Sequence, residues 1–127
     1  MICTATDDDI INYLSSVKSL IKENKNNLIV SLNREKNTNF INKYGLKKNR
    51  IIEIIDSLDK DDFEDKVMNR HTDYSDEVLY IFSKTFNLTD SNGKLNTVEI
   101  YIKFNLTDKK VILISFHEAE YEFKEKK

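Results

Sequence analysis

Proline is absent from this 127-residue chain, glycine occurs only twice, and cysteine occurs once. So few glycines leave no Walker A loop and no GxGxxG turn, which excludes nucleotide chemistry of those kinds. The lone Cys3 rules out an internal disulfide and a cysteine-based zinc site, and its place near a fraying terminus argues against a nucleophile. No apolar run approaches the roughly 18–20 residues that a membrane-spanning helix needs, so no membrane partner is expected. The start, MICTATDDD, is acidic and lacks the basic residues and apolar stretch of a secretory signal. The expectation is a cytoplasmic protein. There is no HxH, HExxH or calcium-loop pattern, and DDD (7–9) and DKDD (59–62) read more simply as helix N-terminal charge. Neither a metal nor another cofactor is expected.

What is present is ordinary for a globular domain: 39% apolar and 33% charged residues, in one domain spanning 1–127 and long enough to bury a core. The net charge of −2 does not advertise nucleic-acid binding, but it hides an asymmetry. Between Arg34 and Arg50 stand Arg34, Lys36, Lys43, Lys47, Lys48 and Arg50 against Glu35 alone. From Glu53 to Glu77 there are ten Asp and Glu against Lys60, Lys66 and Arg70. The basic segment fits a phosphate footprint and fits a solvated helix face equally well.

Residues 7–24 carry Ile10, Leu14, Val17 and Ile21 at helical spacing, with Thr6 or Asp7 as cap. LIVSL (28–32) is β-branched enough for an edge strand or a connection to one. Asn37 can cap a short helix with Phe40, Ile41 and Tyr44, closed by Gly45. Residues 47–58 repeat Ile51, Ile54, Ile55 and Leu58 as another amphipathic helix, and residues 59–67 add a turn of helix around Phe63. Strands follow at 77–86, 97–105 and 111–118, with residues 87–96 as a loop turning at Asn92-Gly93. The layout is α+β: N-terminal helices, chiefly 7–24 and 47–58, packed on one face of a C-terminal antiparallel meander.

The last two strands carry the most information. Val98, Ile100, Ile102, Phe104, Ile112, Ile114 and Phe116 alternate with Glu99, Tyr101, Lys103, Leu113, Ser115 and His117. Successive strand residues point to opposite faces, so the even set predicts a core wall. A three-residue turn at Thr107–Lys109 puts both apolar sets on one face, pairing Phe104 with Ile112, Tyr101 with Ser115 and Glu99 with His117. That register gathers Tyr101, Lys103, Ser115 and His117 on the other face.

Those four make a candidate site. His117 can exchange protons near neutral pH, with Glu118 and Glu120 near enough in sequence to orient it or to act themselves. Lys103 can hold a phosphate, and Tyr101 can stack on a base or donate a hydrogen bond. His71, with Arg70 and Lys66, precedes the first meander strand, where loops often carry function. The bland alternative is the wet side of a half-buried sheet with a solvated strand end.

Three stretches, KNTNFINKYGLKKNRIIEIIDSLDKDDF, DYSDEVLYIFSKTF and VEIYIKFNLTDKKVILISFHEAEY, resemble the MqsR family of toxins from bacterial toxin–antitoxin systems. The likeness runs over about 28–121, with the helix of 7–24 ahead of it, and is most specific at YIKF (101–104) and ISFHEAE (114–120). It implies a RelE-like fold and a metal-independent endoribonuclease that cuts single-stranded mRNA and is neutralised by an antitoxin protein. In similar enzymes the ribose 2′-OH attacks the adjacent phosphate, leaving a 2′,3′-cyclic phosphate and a 5′-hydroxyl. By position, Tyr101 and Lys103 match the family's strand tyrosine and lysine, and His117 falls where a relative carries a catalytic lysine. Lys66, or alternatively Arg70, matches the lysine before the first meander strand, with stretched spacing to Tyr74. A relative's glutamine aligns near Ile81. Together the residues and the resemblance give a candidate catalytic set of His117, Lys103, Tyr101, Lys66 and Glu118, with Arg70, His71, Ser115, Lys47, Lys48 and Arg50 as candidate RNA contacts. A non-catalytic RelE-fold binding or regulatory module is the competing reading.

Overall fold

The computed structural model describes residues 5–69 and 77–120. Helix α1 spans Asp7–Glu23, β1 Leu28–Val30, α2 Glu35–Tyr44 and α3 Lys48–Asp56. Strands β2 (Phe63–Asn69), β3 (Glu77–Thr89), β4 (Leu95–Leu106) and β5 (Val111–Glu118) complete an α+β fold. Among the described residues no helix is long and apolar enough to cross a membrane.

Helix α1 begins at a capping box: the Asp9 N–H donates to Thr6 Oγ1 at 3.1 Å, and the Thr6 N–H donates to Asp9 Oδ2 at 3.0 Å. These bonds to backbone and hydroxyl hold the Asp9 carboxyl below its ordinary pKa. Its stripe of Ile10, Leu14, Val17 and Ile21 is buried, as the spacing predicts. Helix α2 ends at Gly45, whose φ of 58° is the left-handed conformation that a side chain would strain. Helix α3 buries Ile51, Ile54 and Ile55. All three helices pack on one sheet face, where Phe82, Ile100, Ile102, Phe104 and Phe116 are fully buried. Tyr13 of α1 stacks on Tyr80 at 3.8 Å, and Phe40 of α2 meets Phe116 edge-on at 5.7 Å.

The sheet is wider than the expected meander. Its order is β1-β5-β4-β3-β2, with β1 parallel to β5 and every other pairing antiparallel. The helical turn expected around Phe63 is instead one 3₁₀ turn, Lys60–Asp62, capped by Asp59, leading directly into β2. Local capping favoured the turn, but the unpaired edge of β3 offered a row of backbone partners that an extended segment satisfies better. The expected 87–96 loop contracts to a tight turn, because β3 and β4 stay paired out to Thr89 and Leu95. Gly93 supplies the positive φ of 81° there.

The expected register of β4 on β5 also needs correction. Near the turn, Leu106 opposes Val111 and Phe104 opposes Leu113, so the connection has four residues rather than three. That odd register turns Val111 and Leu113 into the core and leaves Ile112 and Ile114 partly exposed. Past Ile114 the pairing resumes as Lys103 with Ser115, Ile102 with Phe116 and Tyr101 with His117. Ile114 is the extra residue of a β-bulge, which returns Phe116 to the core and His117 to the opposite face.

Asn37 accounts for the bulge. It does not cap α2, whose N-cap is Arg34; it lies inside the helix and is fully buried. Its Nδ2 donates to the carbonyls of Ser31 and Ile114, both at 2.9 Å, and its Oδ1 accepts from the Phe116 N–H at 2.9 Å. A bulge leaves backbone groups without ladder partners, and one amide supplies them here while tying α2 to β1 and β5.

Candidate functional site

On the sheet face away from α1 and α3, β4 and β5 meet the start of α2 around a cleft of about 630 Å³. Tyr101, Lys103, Ser115 and His117 line it from the sheet, and Arg34, Glu35 and Lys36 line it from α2. Glu120, just past β5, closes one end. The four sheet residues are those the alternation pattern gathered, reached through the corrected register. Directly opposed strand residues hold their side chains side by side, and the rings of Tyr101 and His117 stack at 5.4 Å and 23°.

Each ionisable group has a distinct environment. His117 Nδ1 lies 3.0 Å from the Glu118 carbonyl oxygen. A carbonyl only accepts, so this contact favours the tautomer with the proton on Nδ1 and leaves Nε2 as the basic nitrogen. Burial lowers the Lys103 pKa from the usual lysine value, and the neighbouring Arg34 charge lowers it further. Lys103 Nζ also sits 6.0 Å over the Tyr101 ring. Burial raises the Tyr101 phenol, with Asp65 and Glu64 adding to the effect, so it stays a neutral donor. Those two acids belong to an adjoining pocket of about 280 Å³ behind Tyr101, where Ser83 Oγ donates to Glu64 at 2.6 Å. Glu120 is held below its ordinary pKa chiefly by a hydrogen bond and ion pair with Lys36 at 2.8 Å.

Residues 11–118 match the family model described as "Motility quorum-sensing regulator, toxin of MqsA". The chain belongs to the MqsR toxin family. Family members are toxins of toxin–antitoxin pairs, and MqsA is the antitoxin named with them. No curated protein matches the chain.

Within this MqsR-family toxin, several of the sequence candidates lie apart from the cleft. Lys66 pairs with Tyr80 in the β2–β3 ladder and lays its Nζ 5.7 Å from that ring, on the face packed against α1. Glu118 opposes Ile100, one alternation away from His117, and does not line the cleft; Glu120, two residues on, does. Lys47, Lys48 and Arg50 sit at the start of α3, where Arg50 pairs with Glu53 at 3.1 Å, and none of them lines the cleft. Arg70, His71 and Tyr74 lie outside the described residues. Ile81 opposes Lys103 and lines the acidic pocket.

Arg34 and Lys36, named from the sequence only as members of the basic segment, join the cleft itself. They open the basic segment, but nothing in their spacing tells that α2 starts against β5. Only the packing places them beside Lys103.

Proposed function

We propose that this toxin is an endoribonuclease that cleaves single-stranded mRNA by attack of a ribose 2′-OH on the adjacent phosphodiester. The observation that carries this reading is the convergence of His117, Lys103 and Tyr101 on one concave cleft. Such a reaction needs a proton acceptor for the 2′-OH, cations for the phosphorane charge and a donor for the departing 5′-oxygen. His117 Nε2 supplies the acceptor. Lys103 offsets the developing negative charge in a half-buried setting, where a charge counts for more than in open water. The Tyr101 phenol, kept protonated by burial, gives its proton to the departing 5′-oxygen, and its ring gives a base a stacking surface. Side chains provide every role, so no metal is required.

The test is direct. Purified protein incubated with RNA and EDTA is expected to leave 2′,3′-cyclic phosphate and 5′-hydroxyl ends, and induction without an antitoxin is expected to arrest growth and deplete full-length mRNA. Growth arrest with unchanged mRNA ends sinks the ribonuclease reading in favour of a binding mechanism.

A pH profile adds a second check. A lysine is cationic below its pKa, and burial lowers that of Lys103, so its charge is lost at lower pH than for an exposed lysine. Activity is therefore expected to fall on the alkaline side before ordinary lysines titrate. Lys103→Arg, which stays charged throughout, should move that limb to higher pH even if its maximum rate is lower. An alkaline limb identical in both proteins removes Lys103 from the reaction.

A further inference from the structure

We propose that Arg34 is a phosphate-binding residue of the cleft, gripping the RNA phosphodiester together with Lys103. This inference rests on the RNA-cleaving reading and adds to it a residue from a different element.

Three observations carry it. First, Arg34 lines the same cleft as Lys103, Ser115 and His117, and its charge adds to the burial that lowers the Lys103 pKa. Two like charges lining one cleft make a place where a phosphodiester is attracted to both. Second, the lining distinguishes its cations. Lys36 is already neutralised by Glu120 at 2.8 Å, whereas among the described residues neither Arg34 nor Lys103 forms an ion pair. Glu35, the other acid of the lining, forms none with either of them. Third, Arg34 stands on a rigid base. It is the N-cap of α2, in extended conformation at φ −96° and ψ 120°, and Asn37 three residues on locks that first turn to the β5 bulge beside Ser115 and His117. A planar guanidinium fork on a fixed backbone suits bidentate capture of phosphate oxygens, leaving Lys103 as the second, point-like charge.

The experiment uses a 2′-O-methylated RNA oligonucleotide, which lacks the nucleophile, for binding, and the unmodified oligonucleotide for cleavage. For single strands, log Kd changes with log salt by about 0.7 per phosphate contact. Arg34→Ala is expected to flatten that dependence by about 0.7 and to slow cleavage at least about 10-fold. Arg34→Lys should restore the salt slope but not the full rate, because it keeps the charge and loses the fork. The control is Lys94→Ala, which removes the same charge from the exposed β3–β4 turn and should leave both quantities unchanged. A wild-type slope and rate in Arg34→Ala overturns the proposal, as does an equal slope change in Lys94→Ala. Arg34-dependent binding by a wild-type protein that does not cleave keeps the phosphate site and removes the ribonuclease reading. A wild-type protein that neither binds nor cleaves removes both.

Discussion

His117→Ala is expected to slow RNA cleavage by about 10²–10⁴-fold, the usual scale for loss of a general acid or base. Lys103→Ala should lose activity comparably, by removing charge stabilisation from the phosphorane. Neither side chain belongs to the core beneath the sheet, so thermal stability should move by no more than about 0.5 kcal/mol, as for surface substitutions generally. Single-turnover rates read beside melting curves separate the two effects. Glu99→Ala is the informative control, because Glu99 shares the strand and face of Tyr101 and Lys103 but lies beyond the cleft lining. Equal and small effects from all three would mean that this face is only the wet side of a sheet. Large losses accompanied by unfolding would mark His117 and Lys103 as structural.

Asn37→Ala should produce the largest loss of stability of any polar substitution in the described chain. It removes one buried amide and orphans three backbone groups: the carbonyls of Ser31 and Ile114 and the N–H of Phe116. The Phe116 N–H is the fully buried member and the two carbonyls are half-buried; a buried polar group left unpaired costs about 1–3 kcal/mol, so the total expected is at least about 2 kcal/mol. Against the roughly 5–15 kcal/mol by which domains are stable, that lowers the urea midpoint by a large fraction. Asn37→Leu tests the same point without opening a cavity, and should be comparably destabilising because the orphaned groups remain. A wild-type midpoint in both variants would show that the bulge stands without the amide, and that α2 is held to β5 by apolar packing alone.

The sequence carried the parts of the fold that depend on local periodicity. The stripe of α1, the left-handed stop at Gly45, the repeat of α3 and the pairing of β3 with β4 are each set by residues close together in the chain, and each formed as the pattern required. The sheet residues of the site were legible in part: alternation within each strand groups Tyr101 with Lys103 and Ser115 with His117, and the bulge at Ile114 puts the two pairs on one side. Their family resemblance was legible too, because it lies in contiguous stretches, and the match over 11–118 shows it.

Tertiary structure decided what neighbours in space rather than in sequence control. Phe63 and its followers became strand because β3 had an edge to pair, against a local preference for a turn of helix. Ile112 and Ile114 lost the core to Val111 and Leu113 because the connection took four residues, and register is a property of two strands and their turn together. The bulge at Ile114, which brings His117 back opposite Tyr101, depends on an asparagine 77 residues away. Arg34 and Lys36 joined the cleft, and Lys66, Lys47, Lys48 and Arg50 did not, because helix packing sets where a flexible cation ends, and spacing along the chain carries no record of it. Residue identity thus determined which faces exist and what chemistry each holds, while long-range backbone pairing determined which faces meet.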